Sequence, residues 1–501
     1  MKNSNIITFF IMIVVTIAGI TSKSIIYDEV YAADKSAANI SAQISAGWNL
    51  GNSLDCYSNS YAQGQQEALN QENLWGNPRV TKELIDYVKG CGFTAVRIPV
   101  TWYFNTYRDE SGNLHIKQEW LQRVAEVVNF CISDGLYVVL DSHHDGKLFT
   151  AGVSEERFAS MLLDANSLWS EISTYFAAYD YHLIFEGYNE VVNSEKSMEY
   201  SANAAEQMNR LNQAFVNAVR AAGGQNSDRV LIVPTLFHDY RTSFLEGFKL
   251  PSDSAYKRLI IGVHFYPTGI GQDLDQSLNN LKGYSDKFGS PVMITEFGVK
   301  ASALSEDLRS VYISNYVARA GSRGIKCFIW DNGALNDYGL VNRKDFSSSK
   351  TNLISAFFAG VNGNKYDYSS FYLFDSMKGI EVKRPDLATG IIREEYWTTV
   401  TVQMSDLMGI PVPATATKCF VTANSGGDAS DVHLEAYVFY DASGNMVSSG
   451  WLSGGSGKIL DIPSGASYVK VSALSPYRRV TAEEYAAYFK SGDLSLSVGF
   501  Y

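Results

Sequence analysis

Short apolar runs recur through the first part of the chain, and most of them are separated by stretches with helical periodicity. The runs cover residues 46–52, 94–100, 137–144, 182–190, 229–235, 259–267, 292–298 and 326–333. They are continuous in Val, Ile and Leu, which is typical of parallel strands that are covered on both faces. Helical patterns lie at 120–132, 155–176, 198–222, 274–288, 304–320 and 351–359, and one more starts near Asn77.

This alternation of eight strands with helices predicts an α/β fold, the (β/α)8 TIM barrel. A doubly wound sheet is the competing architecture, and it requires a glycine-rich phosphate loop after the first strand. The sequence GWNLGNSLD at 47–55 does not have that form. Asn77 and Pro78 are expected to cap and begin the helix after the first strand.

The pattern changes beyond about residue 362, where a polar stretch predicts a linker over 362–375. Apolar and polar residues then alternate in short runs over 376–501, and the turn sequence DASGN at 441–445 separates two of them. Such spacing indicates strands joined by hairpins. The sequence therefore predicts a barrel domain over 34–361 and a C-terminal β-sandwich domain over 376–501.

The N-terminus has the pattern of an export signal. Lys2 precedes an apolar stretch at 6–20, and VYAAD at 30–34 offers small residues for cleavage near Ala33. We expect residues 1–33 to be a signal peptide, and the mature protein to be secreted, extracellular and not bound to a membrane. An uncleaved membrane anchor is the alternative, although the apolar stretch is short for a spanning helix.

The charge balance narrows the range of partners. The chain has 501 residues, of which 41 are basic and 53 acidic, and its net charge is −12. No basic tract stands out, so nucleic acid is not an expected partner. The five cysteines show no paired spacing, which argues against a disulfide scaffold, and most are expected to be buried. We expect a monomer that acts on a neutral polymer or small molecule.

Polar residues stand at the carboxyl ends of the predicted strands, where barrel enzymes have their active sites. In strand order they are Asn49 and Asn52, Arg97, His143 and His144, Asn189 and Glu190, His264 and Tyr266, Glu296, and Trp330. Any one of them alone could be a buried polar group with its hydrogen bonds satisfied. Their recurrence at equivalent positions of different strands indicates an active site.

Glu190 and Glu296 form the most informative pair. Two carboxyls that flank a glycosidic bond are what glycoside hydrolysis requires, one protonated and one ionised. Arg97 is expected to keep one of them ionised. Asn189 is expected to hold a sugar 2-hydroxyl, and Trp330 offers a flat apolar face to a sugar ring.

The whole set resembles glycoside hydrolase family 5. The motifs GWNLGNSLD, LWGNP, GFTAVRIPVTW, VVLDSHHD, FEGYNE, VHFYP, ITEFG and FIWDNG carry the resemblance, and they span nearly all of 46–333. The resemblance implies that Glu190 is the acid/base and Glu296 the nucleophile. It also implies supporting roles, with Arg97 and Tyr266 orienting Glu296. The other supporting residues are His143, Asn189, His264 and Trp330, with secondary contacts from His144, Asn49 and Trp48.

One departure concerns the residue after the acid/base. The family usually has proline there, and this chain has Val191. Valine can adopt the same extended backbone, so we expect the carboxyl of Glu190 to keep its place. We also expect a raised pKa for Glu190 and a low pKa for Glu296.

The resemblance implies a retaining endo-acting hydrolase of β-1,4-glucan that needs no cofactor. Xyloglucan, mixed-linkage β-glucan and mannan remain alternative substrates. The choice among them depends on aromatic side chains near the site, for which Trp75, Trp102, Phe237 and Tyr240 are candidates.

The alternatives to this interpretation are a metal-dependent enzyme and a glycan-binding protein without activity, and the sandwich has two alternative roles. A catalytic metal at HHD, residues 143–145, is disfavoured because adjacent strand residues point to opposite faces. A non-catalytic glycan-binding protein usually lacks one of the two glutamates, and both are present here. The sandwich either binds polysaccharide through exposed aromatics or is structural, and its candidate aromatics are Trp397, Trp451 and Tyr477.

Overall fold

The computed structural model of this chain describes most of residues 35–500. The exceptions are 66–67, 194–198, 268–271, 302–305, 365–370, 375–379, 382–383, 386–391, 394–397, 401–409, 412–416, 426–432, 453–456 and 475–493. The predicted signal peptide, Trp397 and Tyr477 lie outside the described residues. Within the part that is described, no helix combines the length and the apolar character needed to cross a membrane.

Eight parallel strands close into a barrel. In chain order they are β1 Gly47–Leu50, β2 Ala95–Ile98, β3 Tyr137–Leu140, β4 Leu183–Glu186, β5 Leu231–Asp239, β6 Leu259–His264, β7 Val292–Phe297 and β8 Lys326–Asp331. Each strand pairs with its neighbours in sequence, and β1 pairs with β8 to close the ring. The predicted α/β fold class, a (β/α)8 TIM barrel followed by a β-sandwich, is confirmed.

Helices surround the barrel. They are α1 Ala37–Gln43, α2 Lys82–Gly90, α3 Gln118–Ser133, α4 Glu155–Tyr175, α5 Ala202–Ala221, α6 Thr242–Gly247, α7 Gln272–Phe288, α8 Glu306–Gly321 and α9 Thr351–Val361. A short hairpin, Thr106–Arg108 with Leu114–Ile116, lies between β2 and α3. The connection from β5 to β6 holds only the six-residue α6.

The helix α1 was not predicted from the sequence. Its apolar residues Ala37 and Ile40 are buried in one cluster with strand residues of the barrel interior, among them Val139, Ile184 and Phe328. Ala37 also donates its backbone N–H to the carbonyl of Lys257. The helix therefore closes the N-terminal end of the barrel and leaves the opposite end as the mouth.

The ends of two strands and the start of one helix differ from those predicted. The strand β4 ends at Glu186, four residues before Glu190, and β5 continues to Asp239 rather than ending at 235. The helix α2 begins at Lys82, and the Thr81 side chain caps it by accepting from Leu84 N. Asn77 instead donates to the carbonyls of Asn52 and Asn332, so it joins two loops at the mouth.

The C-terminal region contains two main antiparallel sheets. One orders Phe371–Phe374, Leu494–Phe500, Lys418–Ser425 and Gly457–Asp461, and the other contains His433–Tyr440, Met446–Trp451 and Tyr468–Leu474. Asp441 accepts from the backbone of Ser443 and Asn445, which makes the predicted hairpin turn. The strand Phe371–Phe374 lies inside the range predicted as linker.

The five cysteines are free thiols, and Cys56, Cys131, Cys327 and Cys419 are buried while Cys91 is partly exposed. The expectation of burial is confirmed for most of them.

Candidate active site

Arg97 occupies the centre of the barrel mouth and is fully buried. It lies near the end of β2, and its guanidinium meets three carboxylates from three other strands. Nε donates to Glu186, Nη1 donates to Glu296 at 2.6 Å, and Nη2 lies 2.7 Å from Asp141. A planar group with five donors can satisfy all three partners at once, which a lysine cannot do.

Glu296 lies on β7 with both carboxylate oxygens engaged. Oε1 accepts from Arg97, and Oε2 accepts from the hydroxyl of Tyr266 at 2.8 Å. The sequence-based expectation that Arg97 and Tyr266 orient this carboxyl agrees with the geometry. Burial raises the pKa of Glu296 above its ordinary value and outweighs the lowering effect of Arg97 and of the Tyr266 hydroxyl, so the expected low pKa is wrong.

The reason is that Arg97 divides one positive charge among three acids. Burial alone would raise the pKa of Glu186, but Arg97 and His238 together lower it to about 2. Glu186 is therefore the carboxylate that the guanidinium keeps ionised. Burial raises the pKa of Asp141 to about 7 despite the same guanidinium.

Glu190 lies beyond β4 on the loop that follows it. One carboxyl oxygen is 2.8 Å from Nδ1 of His264, which is the last residue of β6. The side chain keeps 36% of its surface exposed at the mouth, and burial of the carboxyl raises the pKa of Glu190 to about 7. The expected raised pKa agrees with this environment.

His264 lies between the two carboxyls. Its Nε2 is 3.6 Å from Glu296 Oε1, and one oxygen of each carboxyl lies within 4.8 Å of the other. Because the pKa values of both Glu190 and Glu296 are raised, the two carboxyls together keep one proton up to near-neutral pH. Because Arg97 and the Tyr266 hydroxyl already donate to both oxygens of Glu296, the proton of a singly protonated pair belongs on Glu190.

Three residues of this network were missed as site residues in the sequence. Glu186 closes the apolar run of β4 and therefore resembles a strand end, and Asp141 follows β3 directly. His238 lies beyond the predicted end of β5, and its Nε2 is 2.9 Å from Glu186 Oε1. For Glu186 and Asp141, the signal in the sequence was a polar residue where an apolar run ends.

The remaining predicted residues support this centre. Asn49 is fully buried, accepts from Arg97 at 3.1 Å and donates to the carbonyl of Thr295. Asn189 also accepts from Arg97, at 3.0 Å. His143 bonds to Asp141 and stacks on Trp330 with ring centroids 5.8 Å apart. The structure thus connects the predicted site residues in one network of contacts, which His144 joins through the ring of His143.

His144 belongs to the wall of the mouth. Its ring contacts the rings of His143, Tyr57 and Trp75, with centroids 4.4, 5.3 and 5.6 Å away. A cavity of about 600 Å³ lies beside this wall and extends to Glu190, Phe104 and Phe237. The cavity offers flat aromatic surface next to the partly exposed carboxyl.

Two predicted substrate contacts are corrected. Trp48 is fully buried, and its indole N–H donates to Asp331 at the end of β8. Trp102 is also fully buried and donates to the carbonyl of Asp141. Tyr240 packs on Phe265 with centroids 3.9 Å apart and stays partly exposed, so its contact with substrate stays a prediction. Of the four candidate aromatics, Phe237 lines the cavity and Trp75 stands 39% exposed beside it.

Among the residues that the structure describes, side chains that can bind metal ions cluster at three places. They are Asp55–His143–His144, Glu186–His238–His264 and Glu190–His264–Glu296. The strand has ended before His143, so the alternation argument against HHD does not apply there. Asp145 is instead occupied by the backbone N–H groups of Trp102 and Tyr103. That the reaction needs no metal or other cofactor stays a prediction.

Comparisons with known proteins agree on one family. The profile described as Cellulase (glycosyl hydrolase family 5) matches residues 57–336. Endoglucanase A of Clostridium longisporum is 34% identical over 360 residues, which are 66% of this chain and 68% of that protein.

Two solved structures share the barrel. A broad-specificity endoglucanase from Ruminococcus champanellensis with bound cellotriose superposes with a TM-score of 0.60 and 32% identity, over 64% of this chain and 98% of that one. A xyloglucan-specific endo-beta-1,4-glucanase from a metagenomic library, in complex with cellotriose, gives a TM-score of 0.57 and 32% identity, over 65% and 98%.

Proposed function

We propose a function from one premise: the chain belongs to glycosyl hydrolase family 5. The protein is a glycoside hydrolase that cleaves internal β-1,4 linkages of glucan chains with retention of configuration. The observation that carries this proposal is the pair Glu190 and Glu296, whose oxygens approach within 4.8 Å at the barrel mouth.

The spacing supports retention. Retaining glycosidases place their two carboxyls about 5–5.5 Å apart, whereas inverting enzymes leave about 6.5–9.5 Å for a water molecule. The carboxyl oxygens of Glu190 and Glu296 lie within 4.8 Å of each other, which is closer to the retaining spacing than to the inverting one. Direct attack by one carboxylate is the alternative that fits.

The first step forms a covalent bond to Glu296. Its carboxylate oxygen attacks the anomeric carbon, the bond from that carbon to the glycosidic oxygen breaks, and Glu190 gives its proton to the departing oxygen. Arg97 and Tyr266 hold the attacking carboxylate through both oxygens. Binding of sugar displaces water from the mouth and strengthens these contacts.

The second step releases the sugar. Glu190, now ionised, takes a proton from water, and the water oxygen attacks the anomeric carbon and frees the carboxylate of Glu296. Asn189 accepts from Arg97 through its Oδ1, so its amide NH₂ is the group that remains to donate to the sugar 2-hydroxyl. Trp330 and His143 are stacked in parallel and present flat surface beside the carboxyls.

Glucan is the substrate class that the comparisons favour. The relative from Clostridium longisporum is named an endoglucanase, and the structure from Ruminococcus champanellensis contains cellotriose. The aromatic wall of His144, Tyr57 and Trp75 supplies stacking surface for glucose rings. Xyloglucan is the second candidate, because the other similar structure is named as specific for it and a cavity of about 600 Å³ has room for side-chain sugars.

The test is endo-hydrolysis of soluble carboxymethyl-cellulose, followed by viscosity and by reducing-sugar release. Xyloglucan, barley β-glucan, mannan and xylan are run beside it, with Glu296→Gln as the inactive control. Rapid loss of viscosity on the cellulose derivative supports the β-1,4-glucanase. Activity on another glycan alone would assign that glycan as the substrate. Folded protein with no activity on any of the glycans would contradict the proposal.

We also propose export and a modular architecture. Residues 1–33 act as the signal peptide, 34–361 form the catalytic domain, and the strands from Phe371 onward form a domain that binds polysaccharide. The strand Phe371–Phe374 pairs with Leu494–Phe500, so it belongs to this domain rather than to the predicted linker. Trp451, which is 50% exposed on its strand, supports a binding role. N-terminal sequencing of secreted protein is expected to start at Asp34. Pull-down of full-length protein on insoluble cellulose, compared with Trp451→Ala, tests the last point, and equal retention would contradict it.

A further inference from the structure

His238 stands at the end of β5 in an unusual backbone conformation. Phe237 and His238 are consecutive non-glycine residues with positive φ, 58° and 54°. Side chains with a Cβ rarely adopt this region, and they remain there only where surrounding contacts hold them. The sharp change of direction carries the imidazole of His238 into the interior of the site, where it is fully buried.

Each ring nitrogen of His238 has a hydrogen-bond partner whose role as donor or acceptor is fixed. Nδ1 lies 3.0 Å from the backbone nitrogen of Glu190, and Nε2 lies 2.9 Å from Glu186 Oε1. A backbone N–H can only donate, so Nδ1 accepts. The proton of the neutral ring therefore resides on Nε2 and is donated to Glu186, which Arg97 keeps ionised.

Glu190 needs such a contact because its own backbone is also left-handed, with φ of 40°. The loop around it is fastened at three points. Asn189 N donates to Ser142 O at 2.8 Å, Glu190 N donates to His238, and Phe237 N donates to Val191 O at 3.2 Å. The two contacts from the end of β5 hold the segment in which Val191 follows the glutamate.

His238 also supports the side chain of Glu190 from a second direction. Its ring stacks on His264 with centroids 4.0 Å apart and planes 21° apart. His264 is the residue whose Nδ1 contacts the carboxyl of Glu190 at 2.8 Å. One imidazole thus touches the backbone of Glu190 and the ring that fixes its carboxyl.

We propose that His238 is a positioning residue for the acid/base, which it holds by accepting the backbone N–H of Glu190 in the tautomer that Glu186 imposes. The inference rests on the proposed function, because it takes Glu190 as the group that protonates the leaving oxygen. A misplaced acid weakens that protonation and leaves attack by Glu296 intact.

Leaving-group dependence separates positioning from a merely structural role. A 2,4-dinitrophenolate departs without protonation, whereas a sugar hydroxyl needs the proton of the acid. Activity is therefore measured as kcat/KM for cellotetraose and for 2,4-dinitrophenyl β-cellobioside, because kcat/KM reports the glycosylation step. Glu190→Ala is the reference and should lose far more activity on cellotetraose than on the aryl glycoside.

Two substitutions separate the two nitrogens of His238. His238→Gln extends an amide toward Glu186 but lacks an acceptor at the Nδ1 position, and kcat/KM on cellotetraose should fall at least tenfold while the aryl glycoside stays within threefold. His238→Asn keeps an acceptor near the Nδ1 position and should stay within threefold on both. His182→Gln, at the opposite end of β4, is the matched control and should equal the wild type.

Each outcome decides the question. Equal losses on both substrates for His238→Gln, no loss at all, or a selective loss for His238→Asn would overturn the positioning role. If His238→Gln does not fold, His238→Ala takes its place, with the same expected and contradicting results. If His238→Gln, His238→Asn and His238→Ala all fail to fold, His238 contributes to stability alone. If Glu190→Ala shows no difference between the substrates, the acid/base assignment itself fails, independently of His238.

Discussion

Nη1 of Arg97 donates to Oε1 of Glu296 at 2.6 Å, and this contact orients the carboxyl without giving it a low pKa. The guanidinium is shared with Glu186 and Asp141, and of these acids Glu186 is the one whose pKa is held below its ordinary value. The contact of Arg97 with Glu296 therefore orients that carboxyl, whereas its contact with Glu186 keeps the carboxylate of Glu186 ionised. The predictions below test this division.

The pH dependence of kcat/KM should report the proton on Glu190. Burial raises the pKa of this carboxyl to about 7, so the acid form is present below that pH and is lost as the pH rises through it. Activity on cellotetraose should therefore fall on the alkaline side with a limb near pH 7. Glu190→Gln assayed on 2,4-dinitrophenyl β-cellobioside should show no such limb. A limb that persists in that variant would contradict the assignment.

Tyr266→Phe should lower the rate while leaving the fold intact. The hydroxyl donates to Glu296 at 2.8 Å, and a hydrogen bond to a charged group contributes about 1.5–3 kcal/mol, which is roughly a 10- to 100-fold loss in kcat/KM. Loss of the donor also raises the pKa of Glu296 further and moves the acidic limb to higher pH.

Tyr316→Phe is the matched control for Tyr266, because its hydroxyl donates to the carbonyl of Phe265 and to neither carboxyl. It should cost about 1 kcal/mol of unfolding free energy and leave kcat/KM unchanged. Equal kinetic effects in the two variants would show that Tyr266 acts only through packing.

Arg97→Lys should destabilise the protein and abolish activity. One ammonium cannot reach Glu186, Asp141 and Glu296 together, and leaving buried charges unpaired costs about 3–5 kcal/mol. Urea unfolding measures the loss in free energy of unfolding. Arg210→Lys, at an exposed pair with Glu155, should change stability by less than about 1 kcal/mol. A stable, active Arg97→Lys enzyme would refute the central role of the guanidinium.

Much of the barrel follows from the sequence, because the strands are short, mostly apolar runs with polar residues at or near their carboxyl ends. The gathering of Arg97, Glu296, His264 and Tyr266 at the mouth could be predicted for that reason. Glu190 reaches the same mouth from the loop four residues beyond the end of β4. Parallel strands bring residues at equivalent positions to one end of the barrel, whatever their separation along the chain.

Other parts of the site could not be predicted in this way. His238 depends on two consecutive left-handed residues beyond Pro234, and no pattern of apolar positions signals such a bend. Trp48 and Trp102 resemble subsite aromatics in the sequence, but each indole N–H has a buried acceptor. The pKa of Glu296 depends on how many acids share Arg97, which only the three-dimensional arrangement defines.

Glu296→Gln should reduce turnover by about three orders of magnitude or more, because the amide cannot form the glycosyl bond. The amide retains the shape of the carboxyl, so thermal unfolding should stay close to that of the wild type. Titration calorimetry with cellotetraose should still detect binding. Near-full activity in this variant would remove Glu296 from the nucleophile's role.

The central claim is that Glu296 attacks the sugar and Glu190 protonates the leaving oxygen, with net retention. Proton NMR of the first product formed from cello-oligosaccharides, recorded before the anomers equilibrate, tests it most directly. The carboxyl oxygens that lie within 4.8 Å of each other predict that the β-anomer appears first. Initial appearance of the α-anomer would show inversion and would contradict the account.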